Sequence, residues 1–287
     1  YAWENDKAMW RLYGPALQAT GERAFGVDIW VKNTPELVLE KRYSLALSGQ
    51  PRITALQKQG KWNEANALEP FTSFHFDHGN GLDCYKVGAT LGGGVPAIIM
   101  DGEMIMPYCY KTYKVLDPGP LRLTVEFTYC PTDMGKNKGV VEHRIISLDK
   151  GSNYTAMTVW YEGLKTGADL AAGFVIHNED TDSLVLGRDY AVYADPTDNP
   201  SKQNSQIFVG AIFPNKVERV EMRPVAGIGG TAGHALGIRH ISNNERYTYY
   251  FGSSWSKYDV HTLDEWKLCS EQTLYNLQHP LTAVIEK

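Results

Sequence analysis

Between residues 121 and 127, apolar Leu121, Leu123, Val125 and Phe127 alternate with polar Arg122, Thr124 and Glu126. A period of two is the spacing of a strand with one face buried. Segments of strand length recur through most of the chain: 96–106, 108–116, 140–148, 154–162, 171–177, 183–186, 190–194, 206–214, 234–241 and 246–255. Turn-forming residues separate them. Asp101-Gly102 is a hairpin signal, Asp117-Pro118-Gly119-Pro120 ends one segment, and Lys136-Asn137-Lys138-Gly139 reads as a turn. Residues 149–153 join two further strands. Strands spaced by short turns, with no helix between successive members, point to an antiparallel all-β architecture and away from βαβ units.

Elsewhere the pattern changes. Residues 25–32 read as another strand, with Val27, Ile29 and Val31 on one face. Residues 1–13 show no clear period: Trp3, Glu4, Asn5, Arg11 and Tyr13 could line a site, or the stretch is an edge strand with Trp10 and Leu12 in the core, broken at Gly14-Pro15. Residues 33–70 carry helix-forming material interrupted by Pro35, Gly49-Gln50-Pro51 and Gly60, and read as short helices or an insertion packed on the main body. Near the C-terminus Thr262-x-x-Glu265 is a capping box. Leu263, Trp266, Leu274 and Leu277 then give a helix of about four turns an apolar face. His279-Pro280 stops it, and residues 281–285 read as a last strand. No internal repeat, low-complexity tract or linker interrupts the chain, so one domain over 1–287 is expected.

Net charge is −5 with no Lys/Arg run, which argues against a nucleic-acid surface. No apolar run approaches the length of a membrane helix, so no membrane partner is expected. The first residue is Tyr1, not Met, and a processed N-terminus is expected. Cys84, Cys109, Cys130 and Cys269 are widely spaced and match neither a zinc motif nor a disulfide framework. The 17 Tyr and 7 Trp suit stacking on sugar rings, although sheets are rich in them too.

Chemistry concentrates between Phe74 and Gly94, FHFDHGNGLDCYKVGATLGGG. His75, Asp77, His78, Asp83, Tyr85 and Lys86 fall among six glycines there. Imidazole, phenol and amine carry protons, and glycine lets backbone approach a ligand closely. The same composition also suits a turn whose polar groups bond their own backbone. The stretch His75-x-Asp77-His78, completed by His143 or His177, could hold a metal, but its spacing matches no particular ion. No metal or cofactor is expected. Gly92-Gly93-Gly94 lacks the Lys-Ser/Thr of a phosphate loop, residues 227–233 do not fit the dinucleotide fingerprint, and no Gly-x-Ser-x-Gly elbow is present.

The segments AWEND, RLYGPAL, HGNGLDCYKVGATLGGG, VVEHRIISLDKGSNY and TLDEWKLCSEQTLYNLQHPL together resemble a bacterial family of unknown function found among polysaccharide-degrading enzymes. The resemblance covers nearly the whole chain. It implies a galactose-mutarotase-like supersandwich of two large antiparallel sheets and a periplasmic or secreted location. One branch is similar to ulvan-type oligosaccharide dehydratases, which implies a carbon–oxygen lyase acting on a uronic acid at the non-reducing end, with an acidic oligosaccharide as partner.

Such an elimination needs a base for the C5 proton, a cation beside the carboxylate, and an acid for the group leaving C4. His78 and Tyr85 are the expected base and acid, with His143 and His177 in reserve. Arg11, Arg239 and Lys86 could neutralise the carboxylate, because a guanidinium grips both oxygens. Asp83 and His75 could bind substrate, and Trp3 or Trp255 could stack on a sugar face. Each has a plainer reading. His177 ends an apolar strand and could be a hydrogen-bonded core residue. Adjacent His143 and Arg144 must point to opposite faces. Lys86 could be merely solvated, and His261 and His279 look structural. A glycoside hydrolase drawing on Asp77, Asp83, Glu4 or Glu142, or a sugar-binding module without activity, suits the same composition.

Overall fold

Alternation is plainest in the longest strand, β9 (Asn137–Asp149). Val140, Glu142, Arg144, Ile146 and Leu148 are buried on one face, while His143, Ile145 and Ser147 stand half-buried on the other. The computed structural model describes residues 1–106, 108–177, 181–198, 202, 204–225, 228 and 230–282. Among them lie seventeen strands in antiparallel sheets.

The large sheet runs β12 (Leu184–Leu186), β13 (Tyr190–Asp195), β14 (Ile207–Ile212), β17 (Tyr247–Trp255), β10 (Tyr154–Glu162), β9, β7 (Arg122–Tyr129), β6 (Tyr110–Pro118). The short β8 (Thr132–Met134) also pairs with β9. A five-stranded sheet runs β15 (Arg219–Pro224), β16 (Gly233–Ile241), β11 (Ala168–Ile176), β4 (Pro96–Met100), β5 (Glu103–Ile105). A small sheet holds β1 (Ala2–Glu4), β2 (Met9–Leu12) and β3 (Val27–Trp30). The result is an all-β sandwich. In the small sheet, Trp3 and Trp10 stack 6.2 Å apart and meet Phe251 of β17 edge-on. In the five-stranded sheet, β11 is buried from Leu170 to Ile176 and packs against β13 and β14.

The glycine-rich segment is the seam between the small and five-stranded sheets. Trp30 bridges Asp83, and the Val31 N–H donates to the Leu82 carbonyl at 3.0 Å. The Gly93 N–H donates to the Val27 carbonyl at 2.7 Å, and the Val175 N–H of β11 donates to the Gly92 carbonyl at 2.9 Å. Gly92 has φ +55°, and a Cβ there would lie 2.3 Å from the Val27 carbonyl oxygen. Only glycine permits both the conformation and the contact.

Several elements depart from expectation. Residues 1–13 form the β1–β2 hairpin, not one edge strand. After the short α1 (Pro15–Gln18), residues 39–58 form one helix, α2 (Leu39–Lys58), which continues through Pro51 and is followed by the short α3 (Trp62–Asn66) and α4 (Glu69–Thr72). Proline leaves one carbonyl of the preceding turn without its donor. That turn includes the exposed Leu47, so water can replace the lost bond. The Glu4 carboxylate starts α2, accepting from the N–H groups of Val38 (3.0 Å) and Leu39 (2.7 Å) while pairing with buried Lys32 at 2.9 Å. The turn placed at 136–139 is Gly135-Lys136, and Asn137 already begins β9. β15 alternates over only two apolar positions, Val220 and Met222 between charged Arg219, Glu221 and Arg223, and was not anticipated. At the other end, α5 (Leu263–Gln278) starts as the capping box predicts: the Glu265 N–H donates to Thr262 Oγ1 at 3.2 Å. Its Trp266 stacks on Tyr154 at 5.1 Å, closing a second core on the outer face of the large sheet. Residues 283–285 of the expected last strand lie outside the described residues. Among the described residues, no helix is long and apolar enough to cross a membrane.

The seam gives a direct test. Gly92→Ala should destabilise the protein by about 3 kcal/mol or more, because strain and a backbone clash fall at the sheet junction. Thr262→Ala, which removes a helix cap, should cost about 1 kcal/mol. Urea denaturation of both variants measures the contrast.

Candidate functional site

The register of β2 and β3 sets Arg11 opposite Asp28 on the face turned away from the large sheet. Trp30 follows on that face, and its bridge to Asp83 draws the seam segment alongside. Arg11 Nη2 therefore meets Asp28 Oδ2 at 2.6 Å, Asp83 Oδ2 at 3.2 Å and the Tyr13 hydroxyl at 3.0 Å. The Trp30 Nε1–H donates to the same Asp28 oxygen at 2.8 Å. Rings box the guanidinium in: Trp30 at 4.8 Å, Tyr13 at 4.9 Å and Phe74 at 5.7 Å. Tyr43 of α2 backs Trp30 at 5.3 Å.

A polar cleft of about 300 Å³ opens here, lined by Arg11, Tyr13, Glu22, His75, Asp83 and Tyr85 among others. A larger, mostly apolar cleft of about 540 Å³ adjoins it, sharing Arg11, Tyr13 and Leu17 and adding Tyr43 and Tyr110. Burial and the neighbouring Asp83 push the Asp28 carboxyl up to about 8. Burial, with a contribution from Asp198, pushes Asp83 up to about 7 against the pull of Arg11. Burial opposes the charge of Arg11, but Asp28 and Asp83 outweigh it and hold the guanidinium protonated. A buried carboxylate pair sharing one cation thus binds protons near neutrality.

Tyr85 forms the wall between this cleft and a second group. Its ring meets the His177 ring edge-on, with centroids 5.3 Å apart. His177 directly follows β11 and Asp195 ends β13, strands of the two facing sheets. His177 Nδ1 lies 2.6 Å from Asp195 Oδ2, which assigns the proton to Nδ1 and leaves Nε2 as an acceptor. The other Asp195 oxygen accepts from the Thr197 N–H at 2.8 Å. Among the described residues neither His177 Nε2 nor the Tyr85 hydroxyl has a hydrogen-bond partner, and both are buried. Burial, then the charge of Asp195, raises the Tyr85 phenol well above its ordinary value, so it stays protonated. His234, opposite Val175 in β16, accepts the Leu91 N–H at 3.2 Å. Burial and the nearness of His177 lower it to about 4, so it is neutral.

A family model described as Domain of unknown function (DUF4861) matches residues 1–283. The chain belongs to this family. It is also similar to Uncharacterized protein P7 of Formosa agariphila, 27% identical over 185 residues, covering 62% of this chain and 40% of that protein. The chain thus matches less than half the length of that relative.

The residues singled out in this DUF4861 chain divide in two. Arg11, His75, Asp83 and Tyr85 line the cleft, and His177 joins them through Tyr85. His75 Nδ1 sits 3.1 Å from the Asp83 carbonyl and 3.7 Å from its carboxylate. The others go elsewhere. His78 is exposed and its Nε2 bonds the Ser73 carbonyl of its own loop at 3.0 Å, so the expected pairing with Tyr85 gives way to Tyr85–His177. Lys86 is exposed and reaches toward Gly230. His143 stacks on Trp160 at 5.0 Å on the outer face of the large sheet, while Arg144 turns into the core beside Glu142. Arg239 is held by Glu245 at 2.5 Å. Trp3 and Trp255 are core residues with indole N–H groups bonded to Thr155 and the Asn204 carbonyl, and offer no face to a sugar. Asp28, Trp30, Phe74, Asp195 and His234 were not singled out. For Asp28 and Trp30 the signal was present, as a polar residue and an indole on the outward face of a short strand. Among the described residues no three His, Cys, Asp or Glu side chains cluster as a metal centre.

Replacing Arg11 by Met leaves two buried carboxyls without a cation. Both are neutral at pH 5 in such a fold, but unfolding releases their protons at higher pH. Stability of the variant should therefore fall from pH 5 to pH 8, with a loss of about 3 kcal/mol or more at the upper end. Urea melts at the two pH values check the sign and the size.

Proposed function

We propose that this chain is a carbohydrate-active carbon–oxygen lyase, a dehydratase that eliminates water across C4–C5 of a terminal uronic acid. The observation that supports this best is the Tyr85–His177–Asp195 arrangement at the wall of a cleft that also presents Arg11 and His75. Elimination asks for two proton carriers of opposite readiness, and their surroundings supply that difference. His177 Nε2 and the Tyr85 hydroxyl lie buried behind the cleft wall, so the sugar must displace the Tyr85 ring to reach them. His177 Nε2 then takes the C5 proton, and Asp195 steadies the imidazolium that results. Arg11 and His75 receive the sugar carboxylate and stabilise the enolate-like intermediate. Tyr85 gives its proton to the C4 oxygen, the C4–O bond breaks, and C4=C5 forms as water leaves. The proton then passes from His177 to the tyrosinate and resets the pair. The adjoining apolar cleft, with Tyr43 and Tyr110, suits the next ring of an oligosaccharide. A glycosidic oxygen at C4 would make the same machinery a polysaccharide lyase. An ulvan-type oligosaccharide and a periplasmic or secreted location accompany this reading.

Hydrolysis is less well supported. A hydrolase places two carboxyls on either side of a scissile bond. Here Asp28 and Asp83 grip the same guanidinium nitrogen, and Asp28 is fully buried.

Oligosaccharides ending in glucuronic acid should gain ultraviolet absorbance on incubation with the protein, from the new double bond. Tyr85→Phe and His177→Gln should each lower kcat by about 100-fold or more while near-ultraviolet circular dichroism stays unchanged. Saturated products would identify a hydrolase instead, and binding without turnover a sugar-binding module.

A further inference from the structure

Arg11 is occupied before any sugar arrives. Asp28 is a fixed partner: buried, bonded to the Trp30 indole and opposite Arg11 in the sheet. Asp83 differs, because it lines the cleft and holds the same Nη2 at the longer distance of 3.2 Å. A sugar carboxylate beside an ionised Asp83 would set two anions against one cation in a buried site, and a third wherever Asp28 is ionised, and like charges at that range oppose each other strongly. We propose that Asp83 is a specificity-determining residue: its carboxylate stands where the sugar carboxylate binds Arg11, and it yields that place by taking up a proton. The inference rests on the reading that the cleft takes an acidic sugar.

The groups around Asp83 support a proton as the means of release. Arg11 and Tyr13 face it from the first hairpin, Asp28 from β3, Arg42 from α2, His75 from its own segment, and Asp198 from the stretch after β13. Arg42 offers no replacement cation, since its guanidinium is committed to the Val31 carbonyl at 2.9 Å and to Asn80 at 3.0 Å. The Asp83 carboxyl titrates near 7, so the proton is available at ordinary pH. Once neutral, Asp83 can donate to the incoming sugar acid. A neutral sugar displaces nothing and triggers no uptake.

Calorimetric titration of glucuronate, in two buffers of different ionisation enthalpy, counts protons taken up on binding. With Asp83 titrating near 7, uptake should be about one proton per sugar at pH 8 and small at pH 6, with affinity about tenfold weaker at pH 8. Glucose should show no uptake. Asp83→Asn should bind glucuronate equally well at both pH values and about tenfold more tightly than the native protein at pH 8. The native buffer dependence stands as a test even should the variant fold poorly. Glucuronate bound with no uptake and equal affinity at both pH values overturns the role of Asp83 and leaves the acidic-sugar reading intact. No glucuronate binding at either pH overturns both.

Discussion

One guanidinium ties this site together. Arg11 joins two adjacent strands and the glycine-rich seam through Asp28 and Asp83, and three aromatic rings close around it. Burying a charge is tolerable only with partners at hydrogen-bond distance. That requirement brings Asp83 against β3, and with Asp83 come Tyr85 and the glycines that reach β11. The cleft is the space left where this polar junction meets the apolar packing of the two sheet layers.

The same requirement leaves the junction incompletely balanced. Two carboxyls share one cation, and the second oxygen of Asp28 has no partner among the described residues. Against the ring of Tyr85, whose phenol burial keeps protonated, lies a histidine held by a carboxylate. Polar groups left short of partners in a buried setting are expensive, and such groups concentrate where chemistry is done. Elsewhere the fold shows little of this imbalance in contact with a cleft. A further buried pair, Glu142–Arg144, sits between the sheets.

Strand existence was legible wherever one face of a strand is wet, as in β7 and β9, because burial then imposes a two-residue rhythm. Asp101-Gly102 was legible as a turn, and both residues do adopt positive φ. β15 was not, because its two-residue rhythm rests on Val220 and Met222 alone, both only half-buried between charged Arg219, Glu221 and Arg223. The continuity of α2 was hidden by Pro51, whose lost bond matters little on an exposed helix face. In the site, Arg11, His75, Asp83, Tyr85 and His177 were named from residue chemistry, while His78 was favoured over His177 on proximity in sequence. Seven positions of sequence between His78 and Tyr85 count for less than two strand ends meeting across the sandwich, and Tyr85 meets His177.

From the chain alone came the antiparallel β class, the capped C-terminal helix and the concentration of proton-carrying groups near the glycines. These are local properties, set by periodicity, turn conformation and side-chain type. Tertiary structure decided which histidine meets Tyr85, that Asp28 and Asp195 belong to the site, and that Trp3, Trp255, His143 and Arg239 do not. Such choices depend on the register between strands and on which strand ends face each other. Both are fixed by packing between residues as distant in the chain as Arg11 and Asp83 or Tyr85 and His177, so no local pattern records them.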